Sequence, residues 1–162
     1  MKTLILSEHK DLSSKFETLL KFFCIFKDSS VKNYFECIGQ GLYREVYLVS
    51  GKKYVIKFEH GSNYANLLEF ERYRKMSVMG RQFLSKTYFF HEFENGSSVL
   101  VSEFVEGQLL ENKSLTYARA KAFCESVAFT LKRFGLTCED IHGANIIIPK
   151  NGVGFKVIDY AE

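Results

Sequence analysis

Five polar side chains in this sequence have the types and spacing to handle a polyphosphate: Lys57, Glu69, Asp140, Asn145 and Asp159. Lys57 follows Val55-Ile56 in an apolar run. A lysine inside such a run must snorkel to water or be paired. It is therefore either an edge-strand lysine or a point charge that holds phosphate oxygens. The second role needs a carboxylate to position the amine. Glu69 and Glu71 lie in the helical segment that follows. Glu69 has Tyr73 and Met76 at i+4 and i+7, beside the apolar face, whereas Glu71 turns towards solvent. Glu69 is the expected partner.

Asp140 and Asn145 share a short loop that enters the run Ile146-Ile147-Ile148, and Asp159 ends the run Phe155-Lys156-Val157-Ile158. A hairpin between those runs would bring Asn145 and Asp159 together. An amide oxygen and a carboxylate suit a hard cation such as Mg²⁺. Asp140 is then free as a base for an attacking hydroxyl. Singly, each residue is an ordinary turn former. The glycine pair in Ile38-Gly39-Gln40-Gly41 lets backbone N–H groups approach phosphate oxygens, although such pairs commonly just close hairpins. A dinucleotide-binding turn is excluded, because a strand rather than a helix follows.

The elements that must hold these residues can be read from periodicity. Residues 8 to 27 repeat apolar positions at three- and four-residue steps, which predicts a helix. Strands are expected at 34–38, 45–49 and 54–58, a helix at 63–79, strands at 86–94 and 99–105 around Asn95-Gly96, and a helix at 115–134 stopped by Gly135. A small hairpin closes the series. The expected fold class is α+β with a five-stranded antiparallel sheet, one main helix beside it and a reduced helical part. The expected divisions are a helical extension at 1–33, a sheet-rich lobe at 34–105 and a smaller lobe at 106–162.

Composition sets the outer bounds. The chain has 162 residues, 46% hydrophobic and 25% charged, which fits an ordered globular protein. A net charge of +3 with no Lys/Arg block gives no case for nucleic-acid binding. The four cysteines form no CxxC pair, so neither a zinc site nor a disulfide framework is expected, and reduced thiols point to a cytoplasmic setting. The greasiest stretch, Leu19 to Phe26, is interrupted by Lys21 and too short to span a bilayer. The first residues lack the longer apolar run of a secretory leader.

Taken in order, these segments resemble the protein-kinase-like superfamily from about Tyr34 onward. Gly39, Gly41 and Val46 match its glycine loop, and Val55-Ile56-Lys57 its strand lysine motif. Glu69 matches the helix glutamate that pairs this lysine. Val99 to Phe104 resembles the strand entering the hinge where adenine docks, which implicates Glu103 and Phe104. Asp140 and Asn145 keep the catalytic-loop spacing of five, and Asp159 stands at the metal-binding aspartate. The resemblance implies ATP and Mg²⁺ as cofactors. It implies Lys57 on the α- and β-phosphates, Asp140 as base, and Asn145 and Asp159 on the metal.

The departures are specific. Arg44 stands at the third loop glycine, where it would crowd or contact phosphates, and Cys138-Glu139 replaces the usual His-Arg. His142 makes the loop similar to the Asp-x-His-x-x-Asn form of small-molecule and atypical kinases. The sequence stops three residues after Asp159, so either a minimal kinase core, resembling in architecture only the miniature kinases some bacterial pathogens deliver into host cells, or a shortened piece of a longer kinase is expected. The expected function is phosphoryl transfer from ATP to a protein Ser/Thr hydroxyl, with a protein substrate or activating protein partner completing the site. The alternatives are a small-molecule kinase, a pseudokinase-like binding module, and an enzyme that transfers the nucleotide instead.

Overall fold

A computed structural model gives the fold and describes residues 2–5, 35–49, 53–61 and 63–161. The helix expected at 8–27 lies outside the described residues. The chain divides into two compact units, Met1–Leu67 with Thr87–Phe104, and Leu68–Lys86 with Val105–Glu162.

The first unit is built on strands β1 (Lys2–Ile5), β2 (Phe35–Gln40), β3 (Arg44–Val49), β4 (Tyr54–Glu59), β5 (Thr87–Glu92) and β6 (Ser98–Glu103). They form one sheet in the order β1-β5-β6-β4-β3-β2, antiparallel throughout. The five expected strands are all present, and β1 adds a sixth beside β5. Directly opposed residues share a face of the sheet. One face carries Phe35, Val49, Ile56, Phe58, Phe89, Val99 and Val101 as a buried cluster. The register Gly39–Val46–Lys57–Leu100–Phe90 runs straight across the opposite face. The lysine is therefore set in line with the glycine loop by strand pairing alone. β2 is the exposed edge, and a bulge at Ile38 shifts its register between Cys37 and Gly39.

Helix α1 (Ala65–Lys75) is shorter than the expected 63–79. Ser77 accepts a hydrogen bond from Gly80 N at 3.1 Å and so starts a separate short helix, α2 (Val78–Arg81). Asn66, Glu69, Phe70, Tyr73 and Met76 are the buried positions of this region, whereas Leu68 is exposed. Two polar residues, Asn66 and Glu69, thus take buried positions on this helix while the apolar Leu68 faces outward. The last turn of α1 holds Arg72, Arg74 and Lys75, which favours the negative end of the helix dipole.

The second unit carries helix α3 (Tyr117–Arg133) and a small sheet of β7 (Gly107–Leu109), β8 (Ile146–Pro149) and β9 (Lys156–Val157). Gly135, in the left-handed region (φ 89°), follows the end of α3 as expected from the sequence, and Thr116 caps its start. β7 was not signalled by periodicity, being three residues long. It forms because Gly107 lets two backbones meet. A Cβ there would come within 2.6 Å of Ile147 Cγ2 and closer still to the Ile148 carbonyl oxygen. Gly107→Ala is expected to destabilise the protein by about 1–3 kcal/mol. A thermal midpoint equal to the parent's would show that this close approach is not required.

Candidate functional site

The expected residues are shared between the units. Gly39, Gly41, Val46, Lys57, Glu103 and Phe104 belong to the first, and Glu69, Asp140, Asn145 and Asp159 to the second. Each group has its own supports.

In the first unit the glycine turn is closed by Gly41 N donating to Arg44 O at 2.7 Å. Val46 faces Gly39 on one side and Lys57 on the other. Lys57 is buried in the middle of a strand that is itself buried from Val55 to Glu59. Glu103 faces Tyr54 across the sheet, and Phe104 N donates to Lys53 O at 2.9 Å, which fixes the strand's exit.

Behind Lys57 lies a polar network that sequence reasoning did not anticipate. Glu59, fully buried, accepts hydrogen bonds from Ala65 N at 2.8 Å, Asn66 N at 3.0 Å and Ser98 Oγ at 2.9 Å. The first turn of α1 has no acidic residue of its own, so Glu59 supplies the anion that its free N–H groups require. Asn66 Nδ2 donates to the Lys57 carbonyl at 3.0 Å and to Ser98 O at 3.2 Å. Its Oδ1 accepts from Arg44 Nη1 at 3.4 Å. The arginine at the third glycine position is thus tied to the start of α1. The only sequence signal for this network is a glutamate at the end of an apolar strand.

In the second unit, register brings the catalytic-loop candidates together. Ile146 faces Val157 across β8 and β9, and Ile158 N donates to Asn145 O at 3.0 Å. Asn145 and Asp159 therefore sit at the same end of this hairpin. Segment 83–85 flanks β9, with Val157 N bonded to Phe83 O and Ser85 N to Val157 O, both at 2.8 Å. Tyr160 is fully buried; its hydroxyl donates to Ser85 O at 3.0 Å and its carbonyl accepts from Arg72 Nη1 at 2.8 Å. Asp159 is thereby held between two anchored neighbours. Glu69 is also fully buried, on α1 one turn before Tyr73, whereas Glu71 pairs with Arg74 at 2.7 Å.

Asn145 Nδ2 donates to the Asp140 carbonyl at 3.1 Å and approaches Asp140 Oδ2 at 3.4 Å. The amide nitrogen is engaged within the loop, which leaves Oδ1 as the atom of this side chain that could face a cation. Among the described residues no group of three or more His, Cys, Asp or Glu is placed to hold a metal ion. An oxygen pair from Asn145 and Asp159 fits Mg²⁺ in its usual manner, with few protein ligands and the rest from phosphate and water. A cavity of about 580 Å³ opens beside the loop, lined by Arg72, Thr137, Glu139 and Asp140. Burial, above all, raises the Cys138 thiol from its ordinary value, which favours the thiol over the thiolate beside this loop.

No protein-family model matches the chain, and no curated protein matches it. Among solved structures it is similar to the kinase domain of Mycobacterium tuberculosis PknI, with 18% identity and a TM-score of 0.48. That likeness covers 79% of this chain, which spans only 60% of the PknI domain's length.

Proposed function

We propose that the protein is an ATP- and Mg²⁺-dependent phosphotransferase that delivers the γ-phosphoryl group to a protein Ser/Thr hydroxyl. The observation that carries this reading is the loop of the second unit. Asp140 and Asn145 are hydrogen-bonded to each other, and β8–β9 pairing sets Asp159 at the Asn145 end. Phosphoryl transfer depends on positioning and on neutralising charge, and these residues supply both.

In this reading 34–105 and 106–162 act as the two lobes of a kinase-like core, with 1–33 as an extension. The glycine turn at Gly39 and Gly41 covers the phosphates, Val46 packs on the nucleotide, and Glu103 and Phe104 border the adenine. Lys57, paired with Glu69, neutralises the α- and β-phosphates. Asn145 and Asp159 hold Mg²⁺, which offsets charge on the phosphate oxygens when bound. Asp140 orients the acceptor hydroxyl and takes its proton. The polar cavity beside Asp140 receives the acceptor, and a cytoplasmic protein is its source or completes its docking surface.

Asp159→Ala is expected to reduce Mg²⁺-dependent ATP turnover by about a hundredfold. Equal turnover in the two proteins would remove the mechanism. The mass added to the acceptor separates phosphate from nucleotide transfer. ATP binding with no transfer to any protein of a lysate would favour a binding module instead.

A further inference from the structure

Asp140 can take a proton on either of two oxygens, and the loop distinguishes them. Oδ2 faces His142 Nε2 at 3.3 Å and Asn145 Nδ2 at 3.4 Å. The other ring nitrogen, Nδ1, accepts a hydrogen bond from the backbone N–H of Ala144 at 3.2 Å. An accepting nitrogen carries no proton, and a neutral imidazole has one N–H. With Nδ1 accepting from Ala144, the geometry of the neutral ring leaves Nε2 as the N–H that faces Asp140 Oδ2. Asn145 Nδ2 lies 3.1 Å from Nε2, a contact whose direction follows the tautomer; with the proton on Nε2, the two N–H groups converge on the same carboxylate oxygen. Among the described residues no donor reaches Oδ1.

We propose that His142 is a positioning residue that pins Asp140 through Oδ2 and so assigns proton acceptance to Oδ1. This rests on the phosphotransferase reading. In the transfer step the acceptor's O–H proton passes to Oδ1. The acceptor oxygen's electron pair forms the bond to the γ-phosphorus. The bond from that phosphorus to the β–γ bridging oxygen breaks, and its pair leaves on ADP. A carboxylate held at one oxygen keeps the other in line with the hydroxyl, whereas a rotating one loses much of the benefit of proximity. Asp140 lines the cavity together with Arg72, Thr137 and Glu139, so an acceptor seated there would meet a fixed carboxylate.

The bland role for His142 is to cap the turn Gly143–Asn145 through Nδ1, which it also does. Two substitutions separate the roles. The side-chain oxygen of asparagine can reproduce the Nδ1 acceptor, and the side-chain amide of glutamine the Nε2 donor. His142→Ala and His142→Asn are expected to lower kcat about ten- to a hundredfold with KM for ATP unchanged. His142→Gln is expected to restore most of kcat. The inverse order, with His142→Asn active and His142→Gln as poor as His142→Ala, overturns the proposal and leaves only the cap. His142 is half exposed, so the variants should fold, and their thermal midpoints verify this.

A second measurement reads the tautomer without turnover. Nitrogen-15 NMR of the wild-type protein at neutral pH should show a bare Nδ1 and a protonated Nε2, and the opposite tautomer overturns the proposal. If the wild-type protein transfers no phosphate, the phosphotransferase reading fails and the proposal with it, even with the Nε2–H tautomer in place. An active wild type with the inverted order of variants removes the proposal alone.

Discussion

Asp140→Asn should lower kcat about a thousandfold and leave the affinity for ATP within about threefold. The substitution is close to isosteric, and an amide oxygen can still accept from His142 Nε2 and Asn145 Nδ2. In the proposed mechanism what is lost is the basic oxygen that takes the hydroxyl proton, so the effect falls on the chemical step. Asp140 is half exposed, and its replacement should not move the thermal midpoint. Nucleotide affinity, kcat and the midpoint, measured together, separate loss of chemistry from loss of fold. A kcat within tenfold of the parent's would take proton transfer away from Asp140. Glu139 lines the same cavity, and a large loss in Glu139→Gln instead would move the base by one residue.

Sequence pattern revealed most where order is local. Strands β2 to β6 are alternating or continuously apolar runs bounded by turn residues, and such runs carry their own signal. That Asp140 would lie beside Asn145, and Asn145 at the same hairpin end as Asp159, was legible because five residues of loop and one hairpin join them. β1 and β7 were not, because three or four residues hold no period and their partners lie far along the chain. The end of α1 was misplaced because Met76 continues the apolar spacing while Ser77 restarts the backbone as a new helix. His142 was visible as a motif letter only. Its two hydrogen bonds, and hence its tautomer, depend on where Ala144 and Asp140 lie in space. Glu59, Asn66 and Ser98 were hidden for a related reason: each is an ordinary polar residue until the register Glu59–Ser98 places two of them side by side.

That network should be the costliest to break. Glu59→Ala is expected to lower stability by about 3 kcal/mol, in line with removing a buried charged acceptor and leaving its donors unpaired. The loss has three parts in the structure. Ala65 N and Asn66 N lose the carboxylate that caps α1, Ser98 Oγ loses its acceptor, and a void opens where Glu59 was fully buried. The chain also enters α1 through Tyr64 at φ 64°, a left-handed conformation that costs about 1–2 kcal/mol and is fixed in place by those two N–H bonds. Urea unfolding should show a lower midpoint, and the melting temperature should fall by roughly 6–12 °C. Glu59→Gln keeps one accepting oxygen but turns an amide N–H₂ towards donors, so it should lie between Ala and the parent. Because Asn66 carries the Lys57 carbonyl and Arg44 binds Asn66, the damage should reach nucleotide binding as well. Ser98→Ala, which removes one bond and leaves the cap of α1, should cost about 1 kcal/mol. Equal stability of Glu59→Ala and Ser98→Ala would show that the carboxylate is not the centre of the network.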